Sequence, residues 1–223
     1  MFYPRTIKSF TLRQGRLTNR QENAINTESS HYLLATDTMA DWRQSFGRDA
    51  PLTLEIGFGM GHALLQNAAE YPDQHFVGIE VYRPAVGALL AELKVRDIHN
   101  VRVFYKDAVD VLTHCIPDQS LDAMHIFFPD PWPKRRHHKR RLIQPPFITL
   151  ILQKLKIGGK LHLATDWEDY ARHMRHVLSC EPQLTTATDH QISQYRPSTK
   201  YEQRGQRLGH AVWDFISYSR TLT

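Results

Sequence analysis

The chain has 223 residues, 41% of them apolar, a length that fits one large domain or one domain with an arm. No apolar run approaches the roughly 18 residues that a membrane helix needs, and Met1-Phe2-Tyr3-Pro4-Arg5 lacks the apolar core of a signal peptide. The two cysteines, Cys115 and Cys180, lie far apart in no metal-like spacing, which predicts free thiols in a reducing compartment and a cytoplasmic protein.

The net charge of +5 is concentrated in two segments of the chain. Residues 134–141 contain six Lys or Arg, and residues 1–21 contain five more and no acid. The 17 bases and 23 acids that remain leave the rest of the chain at −6. Such an asymmetry indicates a phosphate-binding surface, although either segment alone is as often a solvated loop or a localisation signal.

Residues 1–30 are polar, basic and weakly periodic, which predicts an arm that is flexible without its partner, followed by one domain over residues 31–223. From about residue 50, apolar runs alternate with segments of helical period. Strands are predicted at residues 52–56, 75–80, 100–105, 121–128, 160–165 and 211–219. The helical segment after the fourth strand is expected to stop at Gly158-Gly159. This alternation predicts an α/β fold with a doubly wound, mostly parallel sheet and helices on both faces.

The first predicted strand leads into a glycine-rich loop, Glu55-Ile56-Gly57-Phe58-Gly59-Met60-Gly61. In open α/β sheets, ligands bind at the carboxyl ends of strands, so the loop is well placed for a cofactor. The glycines run G-x-G-x-G, whereas a dinucleotide fingerprint needs G-x-G-x-x-G and has a glycine where His62 stands. An acid two residues before the first glycine would repel a pyrophosphate and favour an ammonium group. This combination is similar to the cofactor loop of class I S-adenosylmethionine-dependent methyltransferases.

Two further acids follow the next predicted strands. Glu80 ends the second strand, where a carboxylate can accept from both ribose hydroxyls of an adenosine. Asp107 follows the third strand and could accept from the adenine amino group. Either acid alone is as often a helix N-cap, but together with the loop they favour a cofactor site.

The fourth predicted strand runs into a proline-locked turn and a cationic strip, Phe127-Phe128-Pro129-Asp130-Pro131-Trp132-Pro133-Lys134 followed by residues 135–141. A carboxylate beside an indole and a run of cations indicates a site that handles one base of a nucleic acid. Trp132 is equally compatible with stacking on that base and with packing under the loop to fix Asp130. The strip is expected to hold RNA phosphates without reading sequence.

Several motifs, taken together and in order, resemble those of bacterial tRNA (guanine-N7)-methyltransferases. They are residues 54–61, Gly78-Ile79-Glu80, residues 127–132, Ala164-Thr165-Asp166-Trp167 and residues 199–205. The resemblance covers residues 30–223 and implies a Rossmann-like fold with a seven-stranded sheet. It also implies methyl transfer from S-adenosylmethionine to N7 of a guanosine at position 46, in the variable loop of tRNA, with no metal.

The resemblance assigns roles residue by residue. Cofactor-binding positions are Glu55, Gly57, Gly59, Gly61, Glu80, Asp107 and Asp130, and Asp130 is also the catalytic position. Substrate-binding positions are Lys134, Asp166, Thr199, Lys200, Tyr201 and Glu202. RNA-contacting positions are Arg136, His137, His138, Lys139, Arg140 and Arg141. Two positions depart from the family pattern: Tyr201 stands where Phe is expected, and Pro133 leaves the direction of Lys134 open.

The chemistry of guanine narrows the role of Asp130. N7 carries an in-plane lone pair and no proton, so no base is needed before attack. We therefore expect Asp130 to orient guanine through its N–H groups and to stabilise the cationic product, with Asp166 holding other donors.

Three other functions remain open at this point. An amino-group methyltransferase acting on adenine or glutamine would carry an Asn/Asp-Pro-Pro-Tyr/Phe motif, whereas here Trp132 follows a single proline. An RNA-binding protein on a degenerate methyltransferase fold is disfavoured by Glu55, Glu80 and Asp130. An NAD-dependent oxidoreductase is disfavoured by His62. The thirteen histidines form no metal constellation, and the sequence neither demands nor excludes a partner protein.

Overall fold

The computed structural model describes residues 8–11, 15–186 and 211–221. The strands are β1 (Leu52–Ile56), β2 (His75–Glu80), β3 (Val101–Tyr105), β4 (Leu121–Phe127), β5 (Leu155–Thr165), β6 (Leu184–Thr186) and β7 (Trp213–Ser219). The α-helices are α1 (Asn19–Tyr32), α2 (Trp42–Phe46), α3 (His62–Glu70), α4 (Arg83–Val95), α5 (Ala108–His114), α6 (Pro145–Lys154) and α7 (Glu168–Ser179). A 3₁₀ helix, Arg135–Arg140, is called the basic helix below.

All seven strands form one sheet in the order β3-β2-β1-β4-β5-β7-β6. Strands β1 to β5 run parallel, and β7 pairs antiparallel with both β5 and β6. The strand order reverses between β1 and β4, so the carboxyl ends of these two strands flank the crevice where such folds bind ligands. The predicted seven-stranded, mostly parallel α/β fold is confirmed.

Helices cover both faces of the sheet. On one face, the apolar residues of β1, β4 and β5 pack against α5, α6 and α7 in the larger core cluster. On the other face, α3, α4 and α1 pack over β2 and β3. Leu54 and Leu163 on the first face and Leu89 and Leu90 on the second are fully buried. None of the helices in the described ranges is long and apolar enough to cross a membrane.

The expectation of a flexible arm over the first 30 residues is wrong from Asn19 onward, because α1 packs against α4 as part of the α/β domain. Thr18 begins the helix with a capping box, in which its side chain and that of Gln21 each accept from the other's backbone N–H. At Gly87 in α4, a Cβ would lie 2.9 Å from the backbone oxygen of Gln21, so the glycine permits the close approach. Few apolar residues anchor α1, which explains its weak periodicity.

The boundary between α6 and β5 also differs from the expectation. The helix ends at Lys154, and Leu155 already has an extended backbone (φ −72°, ψ 138°). Gly158 and Gly159 lie inside β5 rather than after a helix. Gly158 has φ +80°, a left-handed conformation that a side chain would strain. The glycine pair therefore lies within a strand, where the pairing of β5 with β4 shifts register, and does not end a helix.

Candidate active site

The parallel strands bring the predicted site residues to one edge of the sheet. Ile56 at the end of β1 is level with Ile79 in β2 and Ile126 in β4, and Phe127 at the end of β4 is level with Ala164 in β5. The chain segments that follow these strands therefore leave the sheet side by side. They carry the glycine loop, Glu80, Asp130 and Asp166, as the sequence predicts.

The glycine loop leaves β1 with three residues in the left-handed region. Gly57, Gly59 and Gly61 have φ values of +73°, +54° and +79°. A Cβ on Gly57 or Gly59 would meet nothing within 4 Å, so both face open space and their bare backbone can approach a ligand. Gly61 is the N-cap of α3, where a Cβ would lie 2.7 Å from Leu89 Cδ1. The loop is thus shaped by backbone conformation on one side and by helix packing on the other.

Glu80 ties the glycine loop to the end of β2. Its carboxylate accepts from the backbone N–H of Gly59 (3.0 Å), Val81 (2.7 Å) and Tyr82 (3.0 Å). A carboxylate offers about four acceptor positions, so Glu80 retains about one beyond these bonds. Burial raises the pKa of Glu80, the three backbone N–H groups lower it, and the nearby Asp130 charge raises it. The sequence predicts this acid as a ligand contact, which stays a prediction, but it does not reveal the role of Glu80 as an anchor of the glycine loop.

Glu55 lies at the centre of the sheet with its carboxyl group buried. The residue is 3% exposed, and one carboxyl oxygen has no hydrogen-bond partner within the described part of the chain. Burial raises the pKa of Glu55 to about 8, and the charge of Glu80 contributes in the same direction. A bound cation would give this oxygen a partner and stabilise the ionised carboxylate. The residues at this edge therefore fit a ligand with a positively charged group.

Asp107 acts as the N-cap of α5, where its Oδ1 accepts from the backbone N–H of Val109 at 2.9 Å. This is the helix-cap alternative that the sequence left open for strand-end acids. The contact with adenine remains a prediction.

The loop that carries Asp130 is strained on both sides of the carboxylate. Phe128 and Trp132 have φ values of +51° and +47°, which cost about 1–3 kcal/mol each for residues with bulky side chains. Phe128 N–H donates to the carbonyl of Ala164 in β5 at 2.8 Å, which fixes the start of the loop. Asp130 itself is exposed, and it lies close enough to Glu80 to raise the pKa of that residue.

Arg141 holds the other end of the loop, and its assignment as an RNA contact is wrong in this structure. Its side chain is 2% exposed. Nε donates to the carbonyl of Pro131 at 2.9 Å, Nη2 donates to the carboxylate of Asp169 in α7, and the guanidinium lies 4.9 Å from the ring centroid of Tyr170. The guanidinium is therefore used to tie the loop to α7 and is withdrawn from the surface. The hydrogen bond from Arg141 also holds the pKa of Asp169 below its usual range.

The other cations of the strip divide between the surface and the loop. Arg136 and Lys139 are exposed. Arg140 stacks on Trp132, with its guanidinium carbon 3.9 Å from the ring centroid. His137 meets the edge of the same ring, and His138 Nε2 lies 3.1 Å from Arg141 Nη2. These contacts favour the interpretation of Trp132 as a support for the loop, because Arg140 covers one face of its ring.

The predicted substrate residues are only partly within the described ranges. Lys134 is exposed and precedes the basic helix, and its carbonyl accepts from His137 N–H at 2.7 Å. Asp166 is half-buried at the end of β5, beside the Asp130 loop. Thr199, Lys200, Tyr201 and Glu202 lie outside the described residues. In the described ranges, no group of three or more His, Cys, Asp or Glu is arranged to hold a metal ion.

Comparisons with known proteins agree with this geometry. A family model described as "Putative methyltransferase" matches residues 49–215. The tRNA (guanine-N(7)-)-methyltransferase of Idiomarina loihiensis is 51% identical over 95% of this chain and 89% of its own. The enzyme of that name from Pseudomonas aeruginosa strain PAO1 is 51% identical over 94% of this chain and 88% of its own.

Solved structures share the fold at low identity. The 16S rRNA methyltransferase KamB superposes with a TM-score of 0.58 at 12% identity, over 82% of this chain and 95% of its own. Phosphoethanolamine N-methyltransferase 2 of Haemonchus contortus, in complex with S-adenosyl-L-methionine, superposes with a TM-score of 0.51 at 11% identity. The match covers 92% of this chain and 61% of that chain.

The loop tether predicts unequal effects for two arginines of the same strip. Replacing Arg141 with Gln should lower the free energy of unfolding by about 1–3 kcal/mol, because Asp169 and the Pro131 carbonyl lose a charged donor. The matched control Arg136→Gln, on the exposed side of the basic helix, should change it by less than about 0.5 kcal/mol. Urea unfolding of both variants measures the difference, and equal stabilities would contradict the tether.

The raised pKa of Glu55 predicts a pH-dependent stability difference in the protein without ligand. Glu55 keeps its proton in the folded state, whereas the unfolded chain releases it near pH 4.5. The free energy of unfolding is therefore highest below that pH and decreases until about pH 8. Relative to Glu55→Gln, the wild type should lose on the order of a few kcal/mol across this window. Urea unfolding at pH 5, 6.5 and 8 tests this, with exposed Glu168→Gln as the control. Parallel pH profiles for wild type and Glu55→Gln would refute it.

Proposed function

Because the chain belongs to the family of tRNA (guanine-N(7)-)-methyltransferases, we propose that it transfers the methyl group of S-adenosylmethionine to N7 of a guanosine in the variable loop of tRNA, at position 46. The observation that carries this proposal is the convergence of Glu55, Glu80 and Asp130 beside the glycine loop. Three neighbouring carboxyl groups disfavour a phosphate and favour a cation. The site therefore suits a sulfonium cofactor better than a nucleotide with a pyrophosphate.

The residues at the carboxyl edge of the sheet match the separate chemical groups of this cofactor. When bound, S-adenosylmethionine supplies an electrophilic methyl group on a positively charged sulfur. Glu55 would pair with its ammonium group, and Glu80 would accept from the ribose with its remaining acceptor position. Gly57 and Gly59 offer bare backbone to the ligand. Asp107, the N-cap of α5 shortly after β3, is the proposed partner of the adenine amino group.

In this proposal Asp130 stabilises charge on the guanine ring and does not abstract a proton. Guanine N7 attacks with its lone pair as the carbon–sulfur bond breaks, so positive charge moves from the sulfur to the purine ring. A carboxylate fixed beside the ring stabilises that charge and accepts from the N–H groups of guanine. The two strained residues and the Arg141 tether hold this carboxylate in place before substrate arrives.

The basic helix supplies the phosphate contacts of the tRNA. Arg136 and Lys139 are exposed and provide charge without reading sequence. Lys134, Asp166 and residues 199–202 are the proposed contacts with the nucleotide itself. We also propose that the reaction takes place in the cytoplasm, which the two free cysteines and a tRNA substrate support.

An amino-group methyltransferase on the same fold is the nearest alternative, and the product separates the two. The chain should be incubated with unmodified tRNA and methyl-labelled S-adenosylmethionine, and the digested nucleosides identified by mass spectrometry. We expect 7-methylguanosine from the variable loop, and no label in a tRNA whose variable-loop guanosine is replaced by adenosine. N6-methyladenosine as the labelled product would refute the proposal.

The role of Asp130 predicts a loss of rate without a change in proton transfer. Asp130→Asn should lower kcat about 10²–10³-fold, because it removes charge stabilisation of the transition state. The profile of kcat against pH should keep its shape, since no proton is removed before attack. Exposed Asp110→Asn, in α5, is the control and should leave kcat unchanged. A near-normal kcat for Asp130→Asn would remove Asp130 from any role in stabilising charge.

A further inference from the structure

A short N-terminal segment, residues 8–11, lies against the Asp130 loop and the basic helix. Trp132 Nε1 donates to the carbonyl of Ser9 at 2.9 Å. Arg140 donates through Nε to the carbonyl of Lys8 (3.1 Å) and through Nη2 to that of Phe10 (3.2 Å). Three consecutive carbonyls are thus held by two side chains, so the main chain is fixed at a defined place.

The same two side chains contact each other. The guanidinium of Arg140 lies 3.9 Å from the ring centroid of Trp132, a cation–π contact worth about 0.5–2 kcal/mol. Trp132 is two residues from Asp130 in the chain and is itself one of the strained residues of the loop. The N-terminal segment is therefore coupled to the loop that carries the carboxylate.

The charges of the two segments make their contact unfavourable in the free protein. Residues 8–11 carry one cation, Lys8, residues 134–141 contain six Lys or Arg, and neither segment contains an acid. The carbonyl oxygens that Arg140 contacts carry no formal charge, so this docking leaves the cations of both segments in place. The backbone of Lys8 contacts Arg140 directly, so the charge of Lys8 adds to a positive surface, and a polyanion lying across both segments would offset the resulting repulsion.

We infer that residues 8–11 and the basic helix form one composite surface for the phosphate backbone of the tRNA, with Trp132 as the positioning residue that joins it to Asp130. The inference rests on the proposed function for the identity of the polyanion. Phosphates bound on both segments would hold the nucleotide chain on each side of the target guanosine. Trp132 then acts through its N–H group and Arg140 rather than by stacking on the base.

Two variants test the coupling. Trp132→Phe keeps an aromatic ring for Arg140 and removes the N–H group that holds Ser9. Deletion of residues 2–10 removes Arg5 and Lys8 together with the docked carbonyls. Trp42→Phe is the matched control, because the Nε1 of Trp42 is buried with no hydrogen-bond partner among the described residues.

Binding of unmodified tRNA should be measured between 50 and 300 mM salt, alongside methylation kinetics and S-adenosylmethionine calorimetry. The deletion should reduce the slope of log K against log salt by about 1, corresponding to the lost phosphate contact of Lys8. Trp132→Phe should raise KM for tRNA about five- to tenfold, and should have no further effect in the deleted protein. S-adenosylmethionine affinity should be unchanged in every variant, which also verifies folding.

Three results would overturn the inference. An unchanged salt slope in the deletion would show that the segment binds no phosphate. Additive effects of the deletion and Trp132→Phe would show that the two do not act together. Tighter tRNA binding by the deletion variant would show that residues 8–11 block the basic helix in the free protein and must be displaced by tRNA. Failure of the proposed function is distinct, because it would appear as absence of 7-methylguanosine from the wild-type protein.

Discussion

The buried guanidinium of Arg141 is the contact on which the geometry of the site depends. It joins the carbonyl of Pro131 to the carboxylate of Asp169. The strained loop after β4 is thereby fixed to α7, the helix that follows β5. Without this contact the two left-handed residues, Phe128 and Trp132, would relax toward ordinary backbone conformations and carry Asp130 with them. Arg141 belongs to a cationic strip that is typical of an RNA-binding surface, but its side chain instead positions the carboxylate of Asp130.

The acids of the site show how binding and folding oppose each other. Glu55, Glu80 and Asp130 lie together at the strand ends, and burial, with a smaller contribution from the neighbouring negative charges, raises the pKa values of Glu55 and Glu80. Backbone N–H groups offset part of that cost at Glu80, whereas one oxygen of Glu55 has no such partner in the described ranges. Under the proposed function, a bound cation would restore the stability that the free protein gives up, which is a common arrangement in binding sites.

Much of this could be predicted from sequence, because the signals are local. The strands follow from short apolar runs, and the glycine loop, the acids in the last two residues of β1 and β2, and the acid after β4 follow from where those runs end. Helix α1 was missed because only one stripe of a polar helix is buried, through a close approach at Gly87 that lies far away in sequence. Arg141 could not be told from Arg136, since its burial depends on Asp169, 28 residues further along the chain.

The single antiparallel strand near the sheet edge determines which way the end of the chain approaches the site. Because β7 runs opposite to β5, its first residue, Trp213, is level with Thr165 at the carboxyl edge where Asp166 lies. Strand β6 runs in the direction of β5 and ends at Thr186, level with Ser217. The reversal of this one strand therefore brings Trp213, the first residue of β7, to the same edge of the sheet as the carboxyl ends of the parallel strands.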